Sequence, residues 1–291
     1  MHKSGFVTIL GKPNAGKSTL MNALIGERLS VINAKIQTTR HRIFGILNHD
    51  DYQIVFSDTP GIVPHAQYKL HERMMNYVRE SLVDADLLIL LHDAEDPRPD
   101  LEAVEKLKAA TVPVLVVLNK VDLSTQEKTP AITAFWDELL PGKEKIYISA
   151  LHKYNLDVLL RKILDLLPEG EAFYPKDQIT DKTERFFVSE IIRGKMLSIY
   201  SKEIPYSAEI QVIEFKEQEK ITKITANIIT DRESQKAIIL GHQGKKIKQL
   251  GTDARKDIEE FIQKKVYLEL IVKVDKDWRN NDLFLDRSGY V

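Results

Sequence analysis

The chain has 291 residues, more than one compact domain usually contains, so length favours two domains. Hydrophobic residues make up 43% and charged residues 29%, which is typical of a folded protein with real cores and excludes a mainly disordered one. The absence of cysteine excludes disulfides, thiolate zinc sites and thiol nucleophiles, and favours the cytosol. The net charge of -1 excludes general attraction to polyanions, so nucleic-acid binding has to rest on local clusters of charge.

The first residues run into a strand-like segment without an export signal, and the apolar runs are too short to span a bilayer. Short apolar runs then alternate with helical periodicities over residues 1–168. We predict buried strands at residues 6–10, 53–56, 87–91, 114–118 and 146–148. Helices are predicted at residues 17–25, 70–82, 101–109, 131–139 and 156–167, and residues 41–49 could add an edge strand. This alternation predicts an α/β domain with a doubly wound, mostly parallel sheet covered on both faces.

The pattern changes after residue 168. Few apolar residues and Pro175 predict a linker over residues 169–182. Residues 183–291 then predict a separate, smaller α+β domain. Its expected elements are a helix at 185–200, a hairpin of 209–215 and 221–229, helices at 235–240 and 245–263, and a strand at 266–274.

A phosphate-binding loop is predicted between the first strand and the first helix, at Gly11-Lys12-Pro13-Asn14-Ala15-Gly16-Lys17-Ser18. Its glycines let backbone N–H groups converge on a phosphate at the positive end of a helix. Lys17 is expected between the β- and γ-phosphates, and the Ser18 hydroxyl is a candidate Mg²⁺ ligand. The alternative is an ordinary glycine-containing turn, and the loop alone does not identify the nucleotide.

The base is indicated by Asn119-Lys120-Val121-Asp122, directly after a predicted strand. The Asp122 carboxylate can accept hydrogen bonds from N1–H and the amino group of guanine, neither of which adenine presents. Asn119 is expected to tie this segment to the phosphate loop, and the Lys120 stem to cover the base. A polar turn is the alternative, but Ser149-Ala150-Leu151 at the end of the next strand can offer a backbone N–H to guanine O6. The two motifs together predict GTP.

Two further segments are expected to sense the third phosphate. Asp58-Thr59-Pro60-Gly61 ends a predicted strand and would place a carboxylate near the metal and the Gly61 N–H near the γ-phosphate. Thr38 and Thr39 lie in a loop where a hydroxyl can complete Mg²⁺ coordination when GTP is bound, and we favour Thr39. Threonine pairs are common in loops, so this pair alone is unspecific. The candidate catalytic residues are Lys17, Thr39 and Gly61, and the candidate metal ligands are Ser18, Thr39 and Asp58.

These motifs resemble those of the TrmE-Era-type family of translation-factor-class GTPases. The resemblance extends through Gln37-Thr38-Thr39-Arg40-His41-Arg42, Ile204-Pro205-Tyr206-Ser207, residues 241–248 and the final Arg287-Ser288-Gly289-Tyr290-Val291. It implies a cytoplasmic, bacterial-type factor that assists assembly of the small (30S) ribosomal subunit. It also implies rRNA binding near the 3′ end of the 16S-type molecule through a C-terminal type II KH domain, and peripheral association with the membrane.

Residue 62 is isoleucine, whereas Ras-like enzymes carry there the glutamine that orients the attacking water. Slow intrinsic hydrolysis is therefore expected, with water oriented by backbone groups or by a partner. Asn14 matches a phosphate-loop asparagine that ligates potassium in some related GTPases, so K⁺ is a possible second cofactor. A loop-stabilising role for Asn14 is equally compatible with the sequence.

An RNA-binding turn is predicted at Gly241-His242-Gln243-Gly244, between two helices, where it resembles the backbone-clamping turn of KH domains. Lys245, Lys246 and Lys248 follow, and no acidic residue occurs from 236 through 248. A glycine C-cap before a solvated helix start is the alternative. The order of elements around the turn favours RNA binding in a narrow groove.

The leading hypothesis is a monomeric GTP-hydrolysing switch in which GTP orders the loops around Thr39 and Gly61 and so controls RNA engagement. A tRNA-modification GTPase is one alternative, although the chain shows no second catalytic centre and no cysteine. Another is an RNA-binding chaperone whose nucleotide site is largely structural, as the missing glutamine suggests.

Overall fold

A six-stranded sheet organises the first of two units into which the chain divides. The structure is a computed structural model that describes residues 2–33, 35, 38–61, 66–125 and 129–290. The first unit comprises Met1–Ser30, Thr39–Pro64 and Met74–Asp181. Its strands are β1 (Lys3–Leu10), β2 (Ile43–Asn48), β3 (Tyr52–Asp58), β4 (Leu87–Asp93), β5 (Val114–Asn119) and β6 (Glu144–Tyr147). The helices between them are α1 (Lys17–Ile25), α2 (Lys69–Val83, whose first turns lie in the second unit), α3 (Leu101–Lys108), α4 (Thr129–Leu139) and α5 (Leu156–Leu166).

The strand order is β2-β3-β1-β4-β5-β6. Five strands are parallel. The edge strand that residues 41–49 could add is β2, and it runs antiparallel to β3. The central strands β4 and β5 are buried almost throughout, because helices pack on both faces of the sheet. Trp136 and Leu140 pack with β4, β5 and α3 in a core on one side. The predicted α/β fold is confirmed, with the refinement that the sheet is mixed.

Residues 169–181, where the sequence predicts a linker, are hydrogen-bonded to the edge of this sheet. The buried side chain of Gln53 makes the central contacts. Its Oε1 accepts from the backbone N–H groups of Phe173 and Tyr174 at 2.7 and 3.0 Å, and its Nε2 donates to Tyr174 O at 2.8 Å. The Ile46 N–H donates to Ile179 O at 2.9 Å.

The second unit comprises Val31–Thr38, His65–Arg73 and Lys182–Val291. Its elements are α6 (Glu184–Ile199), β7 (Ala208–Glu217), β8 (Ile221–Thr230), α7 (Glu233–Leu240), α8 (Lys245–Ile262), β9 (Lys265–Val274) and α9 (Asp282–Arg287). The strand order is β7-β8-β9, with β7 antiparallel and β9 parallel to β8. Apolar residues of α6, α7 and α8 pack on one face of this sheet. The predicted order of elements is confirmed, and α9 is an addition that the sequence analysis did not predict.

Among the residues that the structure describes, no helix is long and apolar enough to cross a membrane.

We predict that Gln53→Leu frees residues 173–174 from the sheet edge. An apolar side chain of similar length leaves two part-buried backbone N–H groups without their acceptor, at a cost of about 1 kcal/mol for each hydrogen bond lost. Hydrogen exchange of these amides should accelerate at least about tenfold, since about 1.4 kcal/mol corresponds to a factor of ten. The control is Gln249→Leu on the exposed surface of α8, which should leave this exchange unchanged. Equal exchange in Gln53→Leu and the parent chain would contradict the role given to Gln53.

Candidate nucleotide site and RNA-binding turn

The phosphate loop lies between the end of β1 at Leu10 and the start of α1 at Lys17. Both of its glycines, Gly11 and Gly16, are required by close approaches. Gly11 has φ of +148°, and a Cβ there would lie 2.1 Å from Leu91 O. Gly16 has φ of +101°, and a Cβ there would lie 2.3 Å from Asn119 Nδ2. Neither position accepts a side chain without a backbone shift, so β4 and Asn119 fix the path of the loop.

The Lys17 ammonium points into the loop. It is almost fully buried and donates to Gly11 O at 2.8 Å and to Lys12 O at 3.0 Å. Burial lowers the pKa of Lys17, and the nearby Asp58 carboxylate acts in the opposite direction. The loop therefore holds a buried cation whose partners here are two backbone carbonyl oxygens, and a bound phosphate would give that cation an anionic partner.

A cluster of three oxygens from Ser18, Thr39 and Asp58 lies beside Lys17. Asp58 Oδ2 accepts from Ser18 Oγ at 2.8 Å and from Thr39 Oγ1 at 3.3 Å, and the two hydroxyl oxygens lie 3.1 Å apart. Burial raises the pKa of Asp58, and the Lys17 ammonium opposes that rise. Asp58 Oδ1 is also buried and has no hydrogen-bond partner among the described residues. Two hydroxyls and a buried carboxylate with an unused oxygen fit Mg²⁺, which prefers oxygen ligands.

The two threonines of the preceding loop differ in position. Thr39 belongs to the first unit and joins the oxygen cluster, whereas Thr38 belongs to the second unit and donates from Oγ1 to Lys35 O at 2.6 Å. The structure thus brings Thr39, and not Thr38, to Ser18 and Asp58.

The segment Asp58-Thr59-Pro60-Gly61 begins at the last residue of β3, and its first three residues are buried. Gly61 lies close to the phosphate loop, because a Cβ on it would lie 2.9 Å from Pro13 Cγ. Ile62, which stands where Ras-like enzymes carry glutamine, falls outside the described residues.

The Asn119 side chain joins three loops. Its Nδ2 donates to Ala15 O of the phosphate loop at 2.8 Å, and its Oδ1 accepts from the Ala150 N–H at 2.9 Å. Because Ala150 is occupied in this way, Leu151 is the residue of Ser149-Ala150-Leu151 whose N–H has no acceptor among the described residues. The sequence predicted the tie from Asn119 to the phosphate loop, but not its second bond to Ala150.

At the end predicted to bind guanine, Lys120 precedes a short 3-10 helix, Val121–Leu123, which contains Asp122. Lys120 lies in the left-handed region at φ +63°. Lys120 Nζ donates to Asp93 Oδ2 at 2.7 Å. Within the phosphate loop, Lys12 Nζ donates to Asp96 Oδ2 at 2.9 Å. The sequence analysis missed Asp93 and Asp96, although a carboxylate at the end of a buried parallel strand was a usable signal for Asp93.

The predicted RNA-binding turn lies between α7 and α8. Gly241 and Gly244 have φ of +69° and +71°, and Gln243 between them has φ of +50°. A Cβ on Gly241 would lie 2.8 Å from Lys246 Cβ, so glycine is required there. The exposed side chains at this turn and the start of α8 are His242, Gln243, Lys245, Lys246 and Lys248. Exposed Ile238 on α7 adds an apolar side chain that the sequence analysis did not single out.

Comparison with known proteins identifies the family. Residues 6–120 match the family described as 50S ribosome-binding GTPase, and residues 203–279 match the KH domain family. The chain is 45% identical to GTPase Era of Clostridium botulinum (strain Hall), covering 100% of this chain and 99% of that relative. The chain belongs to the Era family of GTPases. Its predicted kinship with the TrmE-Era type is thereby confirmed, and so is its activity as a GTPase.

Two solved Era structures match this fold throughout. A single-residue variant of Aquifex aeolicus Era bound to GDP.AlF4- is 37% identical, with a TM-score of 0.94 and 99% of each chain covered. An Era in complex with MgGDPNP and nucleotides 1506–1542 of 16S ribosomal RNA is 38% identical, with a TM-score of 0.94 and 100% of each chain covered. The predicted KH fold of the second unit is confirmed by the KH domain match together with these full-length matches.

We predict that Asp122→Asn changes the base preference of this Era-family chain from guanine towards xanthine. An amide can donate to the C2 carbonyl of xanthine but cannot accept from both guanine donors. GTP affinity should fall about 100-fold or more, because each hydrogen bond to a charged group contributes about 1.5–3 kcal/mol. Competition binding with GTP and XTP measures it, with Asp157→Asn on the surface of α5 as the control. Unchanged GTP affinity would remove Asp122 from the guanine site.

Proposed function

We propose that this chain is a GTP-driven switch that binds small-subunit (16S-type) rRNA near its 3′ end and assists assembly of the 30S subunit. The observation that carries the proposal is that one chain contains both the phosphate loop with the oxygen cluster of Ser18, Thr39 and Asp58 and the KH-type turn at residues 241–244. The full-length similarity to an Era in complex with MgGDPNP and nucleotides 1506–1542 of 16S rRNA supports it. Residues 1–168 are proposed as the GTP-binding domain and 183–291 as the RNA-binding domain.

In the proposed site, different residues bind the phosphates, the Mg²⁺ ion and the guanine base. Gly11 to Ser18 would hold the phosphates, with Lys17 between the β- and γ-phosphates. Ser18, Thr39 and Asp58 would hold Mg²⁺, which when bound supplies positive charge at the reacting phosphates. The Gly61 N–H would donate to the γ-phosphate, so Thr39 and Gly61 would report that the third phosphate is present. Asp122 and the Leu151 N–H would bind guanine. The remaining residues proposed for the nucleotide site are Thr59, Pro60 and Val121.

Slow intrinsic turnover belongs to the same proposal. Isoleucine at position 62 has no hydrogen-bonding group with which to orient water, so positioning falls to backbone groups or a partner. A potassium ion held by Asn14 is proposed as a second source of positive charge beside the phosphates.

A link from nucleotide to RNA is proposed through the loop that carries the two threonines. Thr38 O accepts from the guanidinium of Arg193, a fully buried residue of α6 that is also paired with Glu190. Thr39, the next residue, contacts Ser18 and Asp58. Ordering of Thr39 around Mg²⁺ would therefore pull on a backbone segment that is anchored to α6, a helix of the KH-type unit.

The alternatives are less well supported. The family described as 50S ribosome-binding GTPase is matched over residues 6–120 alone, whereas the Era complex with 16S rRNA covers the whole chain and favours the small subunit. A tRNA-modification GTPase is not favoured, because the full-length relatives are named GTPase Era. A largely structural nucleotide site predicts that small subunits leave GTP turnover unchanged, whereas a switch predicts a change.

A cytoplasmic location, a monomeric state and peripheral association with the membrane complete the proposal, on the strength of the family resemblance. Their tests are fractionation of cells and sedimentation of the full chain.

We predict that replacing His242 and Gln243 with aspartate abolishes specific rRNA binding and leaves basal GTP turnover near wild type. The two negative charges would occupy the point where the RNA backbone approaches the turn. Lys245→Ala with Lys246→Ala should instead weaken binding to all sequences and reduce the salt dependence by roughly one ion per lost phosphate contact. RNA affinity at several salt concentrations, measured beside GTP turnover, separates these effects.

The matched control is Lys256→Glu, which makes the same change in net charge on the exposed surface of α8, about three helical turns from Lys245. It should weaken RNA binding far less than the aspartate pair. Undiminished RNA binding by the aspartate pair would show that the RNA contact lies elsewhere.

A further inference from the structure

The β4–α3 loop, which we define as residues 93–98, lies beside the phosphate loop and outside every motif that predicts GTP. Asp96 Oδ2 accepts from Lys12 Nζ at 2.9 Å, and the Arg98 carbonyl oxygen accepts from the same ammonium. A cavity lined by residues of both loops lies between them. The ion pair therefore joins the two loops across open space rather than through close packing.

The backbone of Lys12 supports the loop that would hold the phosphates. Its carbonyl oxygen accepts from the Ala15 N–H at 3.2 Å and from Lys17 Nζ at 3.0 Å. The ammonium that is proposed to lie between the β- and γ-phosphates is thus bonded to this carbonyl. Because the side chain of the same residue is tied to Asp96, the ion pair restrains the carbonyl and, through it, the position of Lys17.

The β4–α3 loop is held in place at Asp96 by its own hydrogen bonds. The Asp96 carbonyl oxygen accepts from Nε2 of the buried His92 at 2.8 Å, and its N–H donates to Asp93 O at 3.0 Å. Asp96 Oδ1 accepts from the Arg98 N–H at 3.0 Å. Burial raises the pKa of Asp96, but the hydrogen bonds from Lys12 and from the Arg98 N–H outweigh it and hold the pKa below its usual value. The partner of Lys12 is therefore a charged carboxylate on a well-anchored loop.

The same loop holds the lysine of the guanine segment. Asp93 Oδ2 accepts from Lys120 Nζ at 2.7 Å, while Asp93 Oδ1 accepts from the Glu95 N–H at 3.0 Å. The Ala94 N–H donates to Asn119 O at 2.9 Å, which ties the loop to the strand that leads into the guanine segment. One short loop thus fixes a lysine side chain at each end of the nucleotide site.

We propose that Asp96 and Asp93 are positioning residues for GTP, which act by holding Lys12 at the phosphate end and Lys120 at the base end. The inference rests on the proposed nucleotide site and adds to it a loop that none of its motifs includes. Partly exposed ion pairs contribute modestly to binding, so the loss of either carboxylate should weaken nucleotide binding by about two- to fivefold.

The two carboxylates should differ in their effect on hydrolysis. The stem of Lys120 is predicted to cover the base, whose contacts are the same in bound GTP and in the transition state, so loss of Asp93 should weaken binding alone. Lys17 would lie at the phosphates that react, and its position depends on Lys12. Loss of Asp96 should therefore slow the hydrolysis of bound GTP as well as weaken binding.

The test measures the affinity for MgGDP and the single-turnover rate of GTP hydrolysis in the full chain, in Asp96→Asn and in Asp93→Asn. Both variants should bind GDP about two- to fivefold more weakly, and Asp96→Asn alone should also hydrolyse bound GTP more slowly, by a similar factor. The matched control is Asp257→Asn, because Asp257 lies 2.7 Å from Lys195 Nζ at a similar exposure of 21%. It should change neither quantity.

A double variant tests whether Asp96 acts through Lys12. Lys12→Met removes the ammonium and keeps the length of the side chain, so adding Asp96→Asn to Lys12→Met should cause no further change. A further decrease of full size would overturn the inference. So would an Asp96→Asn or Asp93→Asn variant with the affinity of the parent chain, if Lys17→Ala has lost triphosphate binding. Normal GTP binding by Lys17→Ala would instead show that the proposed phosphate site is wrong.

Discussion

The side chain of Asn119 is the contact on which the candidate nucleotide site depends most. It donates to the phosphate loop at Ala15 and accepts from the third loop at Ala150, while its own strand leads into Asp122. One buried amide therefore sets the spacing between the proposed phosphate and base subsites, and Gly16 has no room for a side chain beside it. Phosphate and base recognition come from loops far apart in sequence, so a rigid joint between them is needed for both ends of one nucleotide to fit.

The buried charges of Lys17 and Asp58 determine the chemistry of the site that Asn119 holds together. Lys17 and Asp58 lie in the same buried region. Burial lowers the pKa of Lys17 and raises the pKa of Asp58, so it favours the neutral form of both, while the charge of each opposes the shift of the other. Phosphate oxygens and Mg²⁺ would supply the charges that such an incomplete set requires. The KH-type turn uses a different principle, because its lysines stay exposed and its glycines open the backbone to a polyanion. The buried site suits a nucleotide that is held tightly, and the exposed site suits an RNA that is released.

The sequence predicted most of the fold because its signals are local. Buried runs marked β4 and β5, glycines marked the loop before α1 and the turn before α8, and the order of motifs identified guanine. Most contacts between residues distant in sequence were not predictable, and the tie from Asn119 to the phosphate loop is the exception because its motif indicates it. Nothing local shows that Gln53 binds residues 173–174, that Asp93 pairs with Lys120, or that Asp96 pairs with Lys12. The helix α9 was missed since its six residues carry too short a pattern to distinguish it from a loop.

The central claim is that the nucleotide controls RNA binding. The most direct measurement is the affinity of the full chain for a 16S rRNA 3′-end oligonucleotide, with Mg²⁺ and either a non-hydrolysable GTP analogue or GDP, at one salt concentration. The account predicts tighter binding with the GTP analogue by about fivefold or more, the range in which allosteric coupling usually lies. Equal affinities with the two nucleotides would contradict it, because the third phosphate would then have no influence on the KH-type unit.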